Sequence, residues 1–276
     1  MSGPQTLLER EDNWETEMGA WFAGERVVFR GLDLFTELFD KSWMETWFFA
    51  ITGRWFEQKQ IELFGRMWTL CTSYPEPRIW NNRVAALTGS ARSTAMLGLS
   101  AAIAVSEGKY YGGQANLASV DFIKRAKQWA IDQGGDLELM VLQEIKETRQ
   151  VPVGFGRPVI NNDERVPHVL RLARELGFDD GPHVKLALEI EAILKARRYR
   201  VVLNVGGLTA ALSADQGLSP KEFYQAASVI YSAGIMACYM DAESKEPGTF
   251  FPLRCERVAY QGVGARKWKN GEKQLE

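Results

Sequence analysis

Residues 151–165, VPVGFGRPVINNDER, hold the densest set of groups suited to ligand chemistry. Gly154 and Gly156 flank Phe155, and glycine admits backbone conformations and close approaches that other residues refuse. Arg157 adds a permanent cation, fit for a carboxylate or a developing oxyanion. Pro158 stiffens the exit, and Asp163, Glu164 and Arg165 end the run. Asp163 is expected to cap a helix starting near Val166, with Pro167 in its first turn and Gly177 at its end. A glycine loop feeding a helix N-terminus suits phosphates or carboxylates, though a plain turn between helices uses the same residues.

The elements that must position this loop read as helices. Ser42 to Glu45 is a capping box ahead of Trp47, Phe48 and Phe49, and Gly53 stops that helix. Further helices are expected over 61–70, 93–105, 114–132, 136–148 and 182–195. Tyr110-Tyr111-Gly112-Gly113 forms a second glycine turn, and Asn204-Val205-Gly206-Gly207 follows the short apolar run 201–203. Ser219 to Glu222 is a second capping box with Pro220 at the first helical position. Its helix should carry Phe223, Ala227, Ile230, Gly234 and Ala237 on one face. Residues 6–22 hold apolar residues at mixed helical spacing, and 27–30 is strand-like. No alternating pattern runs beyond a few residues, so the expected fold class is all-α.

The 276 residues suffice for one large domain or a large plus a small one. A net charge of −2 gives no field to recruit nucleic acid or acidic membranes, so neither is an expected partner. The longest apolar run, 229–240, falls well short of the roughly 20 residues that span a bilayer. Residues 1–10 lack the apolar core of a signal peptide. Three scattered cysteines without a CxxC read as reduced thiols of a cytoplasmic protein, and no metal site is expected.

Taken in order, several segments resemble the citrate synthase superfamily, above all its shorter citryl-CoA-lyase-like members. VVFRGLDLFTELFD is similar to an early arginine-glycine segment, and WFFAITGRWF to a helix end reading LLTGRLP. YYGGQAN resembles HGG-AN, GFGRPVINNDER resembles GFGHP…DDPR less one residue, and LNVGGLTAAL resembles NVDGAIAAL. The resemblance implies a helical homodimer with a thioester cleft between two domains. The larger domain would comprise 1–112 and 218–276, the smaller 113–217.

It also implies that the usual machinery is missing. Where the family has two catalytic histidines and an aspartate, this chain has Arg157, Tyr111 (or Gly112) and Gly206. A further substrate-binding His falls near Ser73 and a substrate-binding Arg near Tyr231. Gly154, Phe155 and Gly156 keep the loop that in the family lies against the CoA adenine, Arg165 matches an Arg for a substrate carboxylate, and Asn204 keeps the turn before the lost aspartate.

Two readings follow. In one the site is rebuilt: Arg157, Tyr111 and Ser73 are the catalytic candidates, and Arg165, Tyr110, Asn204, Tyr231 and Arg254 bind substrate. Arg198 joins the glycine loop for CoA phosphates, although a solvated helix end is the plainer reading of 195–200. Asp241 is one candidate for a new carboxylate. The substrate would then be an acyl-CoA or a related carboxylate, with no covalently bound cofactor. In the other reading the chain binds acyl-CoA without catalysis, as a sensor or as the inactive partner of an active paralogue. For the tyrosines, packing in the core is the plain alternative.

Overall fold

A computed structural model describes residues 3–13, 15–109, 112–157 and 162–264. The first stretch departs from the helical spacing of 6–22. Only α1 (Pro4–Arg10) is helical there. The strands β1 (Gly19–Phe22), β2 (Arg26–Phe29) and β3 (Leu32–Asp33) make an antiparallel sheet in that order. Gly24 and Gly31, both at positive φ, turn the chain between strands. The sheet docks on α2 (Trp43–Thr52): Phe29 meets Phe49 edge-on at 6.1 Å, and Arg30 Nε donates to Ala50 O at 2.9 Å.

Helix α2 opens with the Ser42–Glu45 capping box and stops at Gly53 in the left-handed region. Helix α3 (Gln58–Cys71) packs beside it. Phe48 stacks on Phe64 at 4.2 Å, with Phe56 and Trp68 edge-on or tilted around them and Phe223 edge-on to Trp68. Phe48 and Phe64 are fully buried, which stabilises the fold by about 1.5–3 kcal/mol for each ring.

Helix α4 (Trp80–Ser90) carried no sequence signal strong enough to draw it in advance. It is followed by α5 (Ala95–Val105), α6 (Gly113–Lys127), which ends in a single π turn over Gln128–Asp132, and α7 (Leu137–Thr148). Then come α8 (Val166–Leu176), α9 (Pro182–Ala196), α10 (Val205–Asp215) and α11 (Pro220–Ala226). The long helix expected after Ser219 is interrupted. A 3-10 turn over Ala227–Val229 and a kink at Tyr231 separate α11 from α12 (Ser232–Glu243), and Ala237 is exposed. Trp47 and Trp68 explain the break locally, since both indoles donate to Ala226 O at 3.1 and 3.2 Å.

One core joins α2 and α3 to α6 through α11. Helix α10 lies at its centre, with nine of its eleven residues buried. A second, smaller cluster joins α4, α5 and α12 through Ala85, Ala102, Ile235 and Tyr239. There Gly89 lets the backbones of α4 and α12 touch, because a Cβ would overlap Tyr239 O. The all-α class holds, with the small sheet as its one β-sheet among the described residues.

Candidate functional site

The glycine loop is held by the segment that starts α10. Phe155 and Leu203 form an antiparallel bridge. Gly156 N–H donates to Val202 O at 2.7 Å and Asn204 N–H to Gly154 O at 3.0 Å. Asn204 works twice: its Nδ2 donates to Gly156 O at 2.8 Å, and its Oδ1 caps α10 by accepting from Gly207 N–H at 3.0 Å. Gly154 sits at φ +102, where its missing side chain admits the Gly207 backbone. Gly154 and Gly156 therefore serve a backbone-on-backbone contact. The loop amides of Phe155 and Gly156 are engaged inside the protein, on Pro152 O and Val202 O, so they do not form an open anion cradle.

A charged cluster lies beside this junction. Asp163 has a fully buried side chain. It accepts from Arg165 Nε and Nη2 at 2.9 Å each, from Arg165 N–H at 3.2 Å and from Val205 N–H at 2.9 Å. It does not cap α8 as expected, because Arg165 takes the cap position in helical geometry and its guanidinium claims the carboxylate. Burial pushes the Asp163 carboxyl up, but the hydrogen bonds from Arg165 and Val205 outweigh it and hold the group below the usual carboxylate range.

Arg157 completes the cluster. Its Nη1 donates to Glu164 Oε2 at 2.7 Å and to Asn162 O at 3.3 Å, and lies 3.8 Å from Asp163. Its side chain is 24 % exposed, so the guanidinium neither projects into bulk water nor stands free. Tyr74 donates to Glu164 at 2.5 Å while its ring lies under Arg165, 5.3 Å from the guanidinium carbon. Burial first, then the bond to Glu164, pushes the Tyr74 phenol up to about 12. Burial likewise lifts the nearby Cys71 thiol to about 12, so it is no nucleophile. Each cation in this cluster already has its anion.

The other wall of the junction is lined by amide side chains. Gly206 is in the first turn of α10, and a Cβ there would point between Asn204 Oδ1 (3.1 Å) and Asn116 Oδ1 (3.7 Å). Asn116 Nδ2 in turn reaches the Tyr231 hydroxyl at 3.4 Å. Tyr231 lines a cavity of about 420 Å³ that also meets Arg30, Trp47, Glu107, Tyr224 and Ser228. Glu107 Oε1 accepts from Tyr224 OH at 2.7 Å and from Gln114 Nε2 at 2.5 Å. Gly112 and Gly113 let the start of α6 close over this spot, since a Cβ on Gly112 would overlap Ser106 O.

Arg157, Arg165, Asn204, Gly154, Phe155, Gly156 and Tyr231 thus converge, directly or through Asn116. Tyr110 and Tyr111 lie outside the described residues. Ser73 is buried beneath Gly234, its hydroxyl donating to Asn81 at 3.1 Å. Arg254 is on the exposed tail, and Arg198 is exposed at the end of α9 in the left-handed region. Asp241 is on the outer surface, paired with Lys245 at 2.6 Å. Neither histidine joins the site: His168 is exposed on α8, and His183 bonds Asp215 at 2.7 Å where α9 begins. No group of three or more His, Cys, Asp or Glu among the described residues is placed to hold a metal.

Sequence reading missed Tyr74, Glu107, Asn116 and Tyr224. Of these only Glu107 and Asn116 carried a signal, because they bracket the Gly112-Gly113 turn. Tyr74 and Tyr224 reach the site only through the tertiary fold.

Comparison with known proteins matches this architecture. Citryl-CoA lyase from Hydrogenobacter thermophilus superposes with a TM-score of 0.79 at 21% identity, over 93% of this chain and 98% of that one. ATP citrate lyase from Methanosaeta concilii gives 0.73 at 17%, over 96% of this chain but 45% of its own length. Citrate synthase from Thermoplasma acidophilum gives 0.63 at 20%, over 83% and 59%. A search of curated protein sequences returned no match. The sequence pattern of the citrate synthase C-terminal domain matches residues 81–247, more than half of the chain, and the chain therefore belongs to the citrate synthase family.

Proposed function

We propose that this protein acts on an acyl-CoA or a related carboxylate, making or breaking a carbon–carbon or thioester bond through a rebuilt site. One observation carries the reading. The glycine loop, the Asn204 turn and Gly206 lie beside Asn116, whose amide reaches Tyr231, one of the residues lining a cavity of about 420 Å³. That volume suits a small ligand. The structural relatives act on citryl-CoA or bind citrate and coenzyme A, which supports the same ligand class here. CoA would be a substrate and not a resident cofactor. The exposed Arg198 supports a role in meeting its phosphates. The division into a larger domain (1–112, 218–276) and a smaller one (113–217) is proposed on the same footing.

Titration calorimetry with CoA and acetyl-CoA tests this reading. Heat of binding for either thioester is expected, and its absence for both would remove the thioester reading. Condensation of acetyl-CoA with oxaloacetate at an ordinary citrate synthase rate would contradict the argument from Gly206, which offers no base.

The matched charges of Arg157 and Arg165 favour a second reading, a non-catalytic acyl-CoA-binding protein. With Glu164 and Asp163 already on these cations, neither is free for a substrate anion. Binding of acetyl-CoA without any change in it would decide for this reading.

A homodimer belongs to the same proposal. Helix α10 is apolar all round and buried, as such helices must be. Helix α5 is equally apolar yet buries only Gly98 and Ala102, leaving Met96 71 % and Leu97 64 % exposed. A face of this kind calls for a protein partner, and a second copy or a paralogue fits it. Sedimentation should give a dimer that Leu97→Asp dissociates; a wild-type monomer at micromolar concentration would remove the proposal. No described helix is long and apolar enough to cross a membrane.

A further inference from the structure

We propose that Glu107 is the carboxylate base of this chain, removing a proton from the carbon beside the thioester carbonyl of an acyl group held in the cavity, with the Tyr231 hydroxyl as donor to the carbonyl oxygen. The inference rests on the thioester reading and deepens it by assigning a residue.

Three observations support it. First, Glu107 and Tyr231 line the same cavity, which is walled by Trp47, Ile51 and Ile103 and is largely apolar. Second, both hydrogen bonds to Glu107 fall on Oε1: Tyr224 OH at 2.7 Å and Gln114 Nε2 at 2.5 Å. Among the described residues Oε2 accepts from none. It packs against Gly113, where a Cβ would come within 2.5 Å of it. One oxygen is thus fixed in place and the other is left able to take a proton. Third, the Tyr231 hydroxyl has a single long contact, 3.4 Å to Asn116, so it can turn to a better acceptor. Burial pushes its phenol up, which keeps it a donor.

Glu107 is exposed at the edge of the cavity that Tyr231 also lines, and a carboxylate and a protonated phenol on one apolar cavity can serve enolisation. The step balances. The C–H bond breaks, its proton goes to Glu107 Oε2, and its electron pair moves into the carbonyl, whose oxygen becomes an enolate held by Tyr231. Return of the proton restores the thioester. In heavy water the carboxyl exchanges first, so deuterium is returned instead.

The test incubates the full chain with acetyl-CoA in D2O and follows loss of the methyl proton signal by NMR, with CoA affinity measured in parallel. Wild type should exchange. Glu107→Gln, which keeps both Oε1 partners, should slow exchange at least about 100-fold while binding CoA as wild type does. Tyr231→Phe should slow it by a smaller factor. Exchange by Glu107→Gln at the wild-type rate, or CoA binding by wild type without any exchange, would overturn the assignment and leave the thioester reading intact. Failure of wild type to bind CoA would remove both.

Discussion

The two sides of the loop junction handle charge in opposite ways. On one side Asp163, Arg165, Glu164 and Arg157 pair off completely and draw Tyr74 into the network. On the other, Glu107 has one oxygen that accepts two bonds and one that accepts none among the described residues, beside an apolar cavity, and Tyr231 is loosely held. The first arrangement is that of a joint: it locks the chain entering α8 to the first turn of α10 through Val205. The second is that of a site. A cation that already holds a buried carboxylate gains little from a second anion. On the proposed reading, ligand chemistry is expected on the side where polar groups remain available, with Arg157 and Arg165 fixing the walls.

The sharpest way to break this comparison is to remove the joint. Asp163→Ala would strand the Arg165 guanidinium and leave Val205 N–H without its acceptor. Breaking a buried pair of this kind costs about 3–5 kcal/mol, which urea unfolding would register. Arg165→Met tests the sign. In the wild type the Asp163 carboxyl is depressed, so its contribution is present above the unfolded value near about 3.9 and is lost as pH falls through the lower folded value. Without the guanidinium, burial should dominate and raise the folded value. The variant's deficit should then be largest near neutrality and shrink towards pH 4. A deficit that is flat across pH 4–8 would mean that the pair does not hold the joint.

Helix punctuation was legible in the sequence because it is local. The capping boxes at Ser42 and Ser219, Pro167 in the first turn of α8 and Gly177 at its end depend on residues a few positions apart. The sheet over 19–33 was not, because four-residue strands offer too few alternations to outweigh a helical spacing. Helix α4 was hidden for a similar reason: Asn81 and Asn82 are buried in it, and they read from sequence as loop residues. The site was half legible. Motif positions located the loop, the Asn204 turn and Gly206. They gave no sign that Glu164 neutralises Arg157, since that depends on how seven residues of chain fold back. Nor could spacing bring Tyr224 to Glu107, which is 117 positions away.

Neighbouring glycines sharpen the contrast at smaller cost. Gly207 packs on the loop, and a Cβ there would overlap Gly154 O. Gly206 faces side chains instead, and a Cβ there would come within 3.1 Å of the Asn204 oxygen, a side-chain atom and not backbone. Gly207→Ala should destabilise by about 1–3 kcal/mol through overpacking. Gly206→Ala should cost less than that, within about 1 kcal/mol of wild type either way, since the helix-favouring methyl must push aside only the Asn204 cap oxygen at 3.1 Å. Equal losses at both positions, measured by thermal unfolding, would mean that the wall at Gly206 is closed.

The smallest effect concerns Arg157, the residue whose charge first suggested chemistry. Its Glu164 partner is 55 % exposed, so the pair is worth about 0–1 kcal/mol. Arg157→Ala should therefore unfold almost as wild type does. If the guanidinium only fixes the loop wall, the variant should also bind acetyl-CoA within a few-fold of wild type. Loss of binding by two orders of magnitude with stability unchanged would instead show that Arg157 leaves Glu164 for the ligand. The closed side of the junction would then open on binding, and the comparison above would describe only the empty state.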